Sequence, residues 1–268
     1  MNAVVFLGPS LRQDRARDLI PAHFRPPARR GDIYRAVCDL RPRVLVLIDG
    51  VFRQEPAVWH REILWAMSEG VHAIGAASMG ALRAAELADY GMQGVGKIFA
   101  AYRAGRFAPF PDPFEDDAEV AVVHGPAELG SAPLTIALAD IREVLAGAMA
   151  RAQLDPVAAR AALAAAHGLF FAERTPERLW DALRADGLPA ELCDAICSAA
   201  DGGIHSLKSR DAMSALSAGA ALMASDAPAF EPSFVFEQTL VWESFRRRTA
   251  RTEAANSLRT IGASGDAQ

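Results

Sequence analysis

Short apolar runs organise the first third of the chain. The runs at 3–7 and 44–48 contain only Ala, Val, Leu, Ile and Phe, and a third run at 71–76 is interrupted by one His and one Gly. Such runs are typical of strands buried on both faces of a parallel sheet. Residues 119–124 (EVAVVH) follow an alternating pattern, which predicts a fourth strand. We therefore expect a small, mainly parallel sheet of three or four strands.

Helical patterns lie between these runs, which predicts an α/β fold with helices flanking the sheet. One helix is expected over 32–40 and another over 56–69, with Pro56 in its first turn and Gly70 after its end. Lys97 opens a further helix. The inner face of the helix at 56–69 carries apolar side chains at four-residue spacing, namely Trp59, Ile63 and Met67.

The second half of the chain is Ala-rich and predicts helices alone. Pro156 and Pro176 lie just inside two helix starts. We expect an α/β core over 1–130, a helical region packed on it over 131–250, and a disordered tail over 251–268. The predicted helices cover 134–152, 155–166, 176–186, 189–200, 205–224 and 233–250.

Composition narrows the functional classes. The 268 residues are 51% hydrophobic and 23% charged, as in ordinary globular proteins, and the formal net charge of −5 gives no reason to expect nucleic-acid binding. No apolar run approaches the ~20 residues of a membrane-spanning helix. The first residues resemble no signal peptide. These features predict a cytoplasmic protein without membrane or nucleic-acid partners.

Two groups of residues are of types that bind metal ions. Cys193 and Cys197 lie one helical turn apart, and residues 115–117 form an acidic loop. The two cysteines have no His or Cys partner nearby, and an acidic loop is more often solvated, so we expect buried thiols and a solvated loop. With three cysteines in all, a disulfide scaffold is not expected either. The sequence predicts no metal and no cofactor.

Lysine is scarce. Of 28 Lys and Arg residues, only Lys97 and Lys208 are lysines. An arginine side chain does not lose its proton in proteins. Any mechanism that needs a neutral amine must therefore use one of these two side chains.

The junction at Ser78 is the strongest candidate for chemistry. A strand passes through Ser78 into a helix, so the hydroxyl is expected at the sheet's carboxyl edge, with the amides of Met79 and Gly80 as oxyanion donors. The alternative is that Ser78 only caps the helix. Ala81 stands where a capping box needs Glu or Gln, and Ala76 replaces the first glycine of a G-x-S-x-G elbow.

Two other strand ends are expected beside this junction. Ser10 follows the first run and Asp49 follows the second, and the carboxyl ends of parallel strands meet at one edge. These side chains predict a pocket with Ser78. The loop at 8–10 and the glycines at 94–96 leave a nucleotide or phosphate binder as an alternative, although neither matches a known phosphate-binding fingerprint.

A series of motifs in fixed order resembles the core of the TfuA family. The resemblance covers about 44–145, and its longest motif, at 75–87, is unlikely to arise by chance. A helix segment at 207–212 is similar to a further part of the family. The motifs are DGVF at 49–52, WHREIL at 59–64, GAASMGALRAAEL at 75–87, GMQGVG at 91–96, DAEVA at 117–121 and His124.

The resemblance implies an enzyme that works beside a YcaO-type enzyme in thioamidation of a ribosomal peptide. TfuA-like proteins would hydrolyse the C-terminal thiocarboxylate of a ThiS-like sulfur-carrier protein and release sulfide, using a Ser–Lys pair. Ser78 fits the serine. Lys208, in the family-like helix segment, is preferred as the lysine, and Lys97, at a helix start that would lower its pKa, is the alternative.

The remaining polar residues of the core are assigned supporting roles. Arg83 and Glu86 follow Ser78 by one and two helical turns and are expected to pair or to hold the carrier tail. His60 and His124 are alternative bases, although a lone histidine is more often structural. A rival from another class is a non-catalytic adaptor that scaffolds YcaO and its peptide substrate.

Overall fold

Five parallel strands form one sheet in the order β2-β1-β3-β4-β5 in this computed structural model. The model describes residues 2–51, 55–126, 130–198 and 206–249, and the expected disorder at 251–268 lies outside them. The expected α/β fold with a parallel sheet is confirmed. The strands are β1 Ala3–Phe6, β2 His23–Arg25, β3 Val44–Leu47, β4 His72–Ala76 and β5 Gln93–Val95.

The sequence patterns did not predict the two edge strands, and they predicted a strand at 119–124 where the structure has none. β2 and β5 have three residues each and are largely exposed, so they carry no continuous apolar run. The strand expected at 119–124 is wrong. The amides of Val120 and Ala121 both donate to Asp117 O in a tight turn, and only His124 makes an isolated bridge, with Pro133. Because these backbone groups are used locally, no ladder forms.

Helices surround the sheet in the expected places, and three of them start four or more residues later than predicted, including α6, which begins at Leu138 rather than 134. The helix expected from Pro56 begins at His60, and the last helix covers 240–249 rather than 233–250. None of the helices in the described residues is long and apolar enough to span a membrane. The helices are α1 Gln13–Leu19, α2 Asp32–Leu40, α3 His60–Ser68, α4 Met79–Leu87, α5 Lys97–Ala104, α6 Leu138–Ala150, α7 Pro156–Gly168, α8 Pro176–Ala185, α9 Ala190–Cys197, α10 Leu207–Ala224 and α11 240–249.

Each face of the sheet has its own helical cover. Alternate strand residues such as Val46 pack against α1 and α10, whereas their neighbours such as Leu45 pack against α2 and α3. A separate apolar cluster joins α5 to α6, α7, α8 and α9. The domain boundary near residue 130 stays a prediction, since α10 returns from the helical half to cover the sheet.

The direction of α10 decides what reaches the carboxyl edge. Near its C-terminal end, Ser225 O accepts from the Arg43 guanidinium, just before β3 begins. Near its N-terminal end, the Asp211 carboxylate accepts from Ile98 N at 2.8 Å, and Ser209 Oγ donates to Ser10 O at 2.7 Å. The first turn of α10 therefore lies where β1 ends.

At Gly80, α4 packs so closely on β3 that a larger residue is expected to destabilise the protein. A Cβ at this position would lie 1.8 Å from Leu47 O, so Gly80→Ala must push the helix off the strand. We expect it to lower the free energy of unfolding by about 3 kcal/mol or more, measured by urea denaturation. Gly168→Ala is the control because a Cβ there meets nothing within 4 Å. A loss below about 1 kcal/mol for Gly80→Ala would contradict this packing.

Candidate active site

A strained turn presents Ser78 between β4 and α4. Ala77 has a φ of +65°, and Ser78 N donates to Ala76 O across it at 2.8 Å. This three-residue turn with a positive central φ is the rarer and more strained of the two γ-turns. A non-glycine residue in such a conformation is uncommon and clusters at functional sites. The chain therefore turns sharply just before Ser78, between β4 and α4.

Ser78 occupies the N-cap position, but its side chain does not cap the helix. No hydrogen bond from an α4 amide reaches its hydroxyl, and the residue is only 2% exposed. Instead, its carbonyl accepts from Ala81 N at 3.0 Å. The capping alternative therefore does not explain the serine hydroxyl.

The two expected oxyanion donors differ in what their amides already bind. Gly80 N donates to Ile48 O at 3.0 Å, so this amide is used to attach α4 to the end of β3. The expectation for Gly80 is corrected accordingly. Met79 N is the first amide of the helix, where no intrahelical acceptor exists. Of the pair, Met79 N is the amide suited to an oxyanion.

Lys208 is a buried amine at the start of α10. Its residue is 3% exposed, and Nζ donates to Val120 O at 2.8 Å. Burial lowers the pKa of Lys208, and the charges of Asp49 and Asp140 oppose that effect without cancelling it. Its place in the first helical turn also disfavours positive charge. The structure therefore provides an amine that loses its proton more readily than an ordinary lysine.

Lys97 has the opposite environment. Its side chain is 45% exposed, and Nζ forms an ion pair with Glu143 at 2.5 Å. The amine also lies 4.6 Å from the centre of the Phe107 ring. Lys97 is therefore a partly exposed amine that is already paired, unlike the buried Lys208. The two lysines that the sequence left as alternatives are thus clearly distinguished.

Asp140 positions the lysine, and the sequence patterns gave no signal for it. This buried side chain of α6 accepts from Leu207 N at 2.7 Å, Lys208 N at 3.3 Å and Ser206 Oγ at 3.0 Å. Burial raises the pKa of Asp140. Ser206 caps α10 through Ser209 N, so the helix begins at Leu207 rather than at the predicted 205. Together these contacts hold the first turn of α10.

Asp49 and Ser10 form a second buried group at the same edge, as expected. The Asp49 carboxylate accepts from Gly8 N at 2.8 Å, Ser10 N at 3.1 Å and Ser10 Oγ at 2.6 Å. The loop after β1 therefore binds the protein's own carboxylate. In the same way, Lys97 N donates to Asp211. Both loops of the phosphate-binding alternative are already filled, which removes its structural support.

The other expected site residues pair with one another or with the backbone. His60 Nε2 lies 2.7 Å from the Glu86 carboxylate, which also accepts from Arg83 at 2.6 Å. Arg83 Nε donates to Val58 O at 3.2 Å, so the three side chains form one cluster between α3 and α4. His124 is exposed, and its Nδ1 lies 2.8 Å from Gly125 O. These bonds suit supporting roles and give neither histidine the environment of a buried base.

The acidic loop at 115–117 and the two cysteines, which were considered as metal ligands, make contacts within the protein instead. Asp116 accepts from Ala118 N within its own loop. Cys193 Sγ contacts Leu188 O at 3.8 Å, and Cys197 Sγ contacts Pro176 O at 3.3 Å. Across the ranges that the structure describes, no three His, Cys, Asp or Glu side chains are grouped as metal ligands would be.

The fold and this site define a class of α/β protein. A serine, Ser78, follows a strained turn between a strand and a helix, and a buried lysine, Lys208, lies at the same edge of the sheet. Residues 49–175 match the family model described as TfuA-like protein. The match supports the assignment of this chain to the TfuA family. It ends at residue 175, beyond the 145 expected from the motifs, and begins at 49 rather than 44. It includes Ser78, whereas Lys208 lies beyond it. A comparison with curated proteins found no match.

Proposed function

We propose that this TfuA-like protein hydrolyses the C-terminal thiocarboxylate of a ThiS-like sulfur carrier. The sulfide released would support YcaO-dependent thioamidation of a ribosomal peptide. The observation that carries the proposal is the amine of Lys208, which is buried and has a lowered pKa, at the carboxyl edge of the sheet where Ser78 follows β4. A Ser–Lys pair needs such an amine as its base.

The reaction divides into two balanced steps. In the first, Ser78 Oγ attacks the thiocarboxylate carbon while the neutral Lys208 amine takes the hydroxyl proton. The C–S bond then breaks, the Lys208 ammonium returns that proton to sulfur, and HS⁻ leaves an acyl-serine. In the second step, water attacks the ester, which releases the carboxylate and a proton and restores Ser78. The Met79 amide would stabilise the oxyanion of both steps.

We propose that the charge of Asp49 helps to set the pKa of Lys208, and this predicts the direction in which the pH profile should move. Its charge raises the pKa of Lys208, against the larger effect of burial. In Asp49→Asn the charge is lost while an oxygen acceptor remains for the loop after β1. The acid limb of the kcat/KM profile should therefore move to lower pH, measured by sulfide release from a thiocarboxylated carrier. Asp14→Asn, an exposed change in α1, is the control. A shift to higher pH, or none, would show that Asp49 does not act on the base.

A non-catalytic adaptor remains the second candidate function, and one observation favours it. Ser78 and Lys208 are 2% and 3% exposed, so both side chains are closed to a substrate tail in this conformation. The deciding experiment mixes the purified protein with a thiocarboxylated ThiS-like carrier and measures sulfide with time. Multiple turnovers support the hydrolase. Absence of sulfide, together with binding of the YcaO-type enzyme and its peptide, supports the adaptor.

A further inference from the structure

The C-terminal helix α11 carries arginines to a face that the proposed chemistry does not use. Its inner side chains, Trp242 and Phe245, are buried against the rings of Tyr34 and Trp59, with ring centres 5.6 to 6.1 Å apart. This aromatic packing fixes the helix on the molecule. The consecutive arginines at 246–248 follow it toward the surface.

Two clefts lined by arginines flank this helix. One has a volume of about 570 Å³ and is lined by Arg248 together with arginines from the segment before α2 and from α2 itself. The other, of about 370 Å³, is lined by Arg246 and Arg247. We call these side chains the arginine face: Arg29, Arg30, Arg35, Arg246, Arg247 and Arg248.

The carboxylates in the larger cleft are already neutralised. Glu55 pairs with Arg29 at 2.8 Å, and Asp32 pairs with Arg35. Arg30 is different: its guanidinium lies 4.8 Å from the Trp59 ring centre and 5.5 Å from that of Phe245. In the described part of the chain, no acceptor binds the N–H groups of this guanidinium. Stacking orients the planar fork, and its edge is left for an anion.

We propose that the arginine face binds an acidic segment of a partner polypeptide. The protein as a whole has a formal net charge of −5, so this local positive charge attracts acidic groups to one place. Asp32, Glu55 and Glu243 interrupt the positive surface, which disfavours a continuous phosphodiester chain. Discrete carboxylates that alternate with neutral residues fit the two clefts, and guanidinium groups bind them in a bidentate manner.

The test measures binding of a fluorescently labelled peptide that alternates Glu with Ala, by anisotropy, to the full-length protein. Binding should weaken as salt is raised, because exposed charges are screened. The variant Arg30→Gln/Arg247→Gln should bind about tenfold more weakly, because two of the charged contacts to the peptide carboxylates are lost. Both side chains are exposed, and neither lies at the Ser78 site.

The matched control removes the same charge elsewhere. Arg12 and Arg178 are exposed and paired with Asp14 and Glu173, so Arg12→Gln/Arg178→Gln has the same net charge as the test variant. It should bind the peptide within about twofold of the wild type. Equal losses in both variants would reduce the effect to net charge and overturn the proposal. Tighter binding of a single-stranded DNA of equal charge than of the acidic peptide would also overturn it.

Discussion

Ser78→Ala should abolish sulfide release while leaving the protein folded. Loss of the nucleophile is expected to lower kcat/KM by about 10⁴-fold or more. The free energy of unfolding should change by less than about 0.5 kcal/mol, because the hydroxyl does not cap α4 and a helix cap is normally worth about 1 kcal/mol. Sulfide release and urea denaturation measure the two effects separately.

Thr175→Ala provides the opposite pattern as a control. The Thr175 hydroxyl does cap its helix, α8, by accepting from Arg178 N at 3.4 Å. Its loss should cost about 1 kcal/mol of stability and leave sulfide release unchanged. If Ser78→Ala instead behaved like Thr175→Ala, with a stability loss and normal turnover, the nucleophile assignment would be wrong and the adaptor would be favoured.

The second large effect is expected from the lysines. Lys208→Met should lower sulfide release by about 10³-fold or more, because the side chain that takes the serine proton is gone. Lys97→Met removes a partly exposed ion pair with Glu143 and a contact with the Phe107 ring, and its activity should stay within about twofold of the wild type. The reverse result would assign the base to Lys97. Full activity in both variants would leave His60 or His124 as the base to test.

Lys208→Met should also change how the free energy of unfolding depends on pH. Burial lowers the pKa of Lys208 in the folded protein below its ordinary value of 10.5. Between the two values the unfolded chain binds more protons, so this residue makes the wild type more stable as pH rises toward 10.5. Lys208→Met lacks that contribution. Its free energy of unfolding relative to the wild type should therefore be most favourable near pH 7 and should decline as pH rises.

The wild-type pH profile gives an independent check. Only the neutral amine accepts the serine proton, so activity should fall as pH drops through the lowered pKa of Lys208. Asp49→Asn moves this limb to lower pH, whereas Lys208→Met should abolish it together with the activity. A limb that persists unchanged in Lys208→Met would come from another group.

Several parts of the fold follow from the chain pattern alone. The central strands β1, β3 and β4 are continuous apolar runs because both of their faces are buried, and burial selects the same residue types wherever such a strand occurs. The helices α7 and α8 begin at Pro156 and Pro176, where the missing amide costs nothing. The short edge strands β2 and β5 lack this signal because solvent covers part of each.

The site divides in the same way. Local sequence places Ser78 between a strand and a helix and limits a neutral amine to two lysines, because these properties depend on neighbouring residues and on side-chain chemistry. Only tertiary structure decides that Lys208 is buried, that Lys97 pairs with Glu143 and that the Gly80 amide is bound to Ile48 O. These outcomes depend on which distant groups share a low-dielectric interior, and a lysine's burial and charged partners are set by the packing of α10, α6 and the sheet rather than by its sequence neighbours.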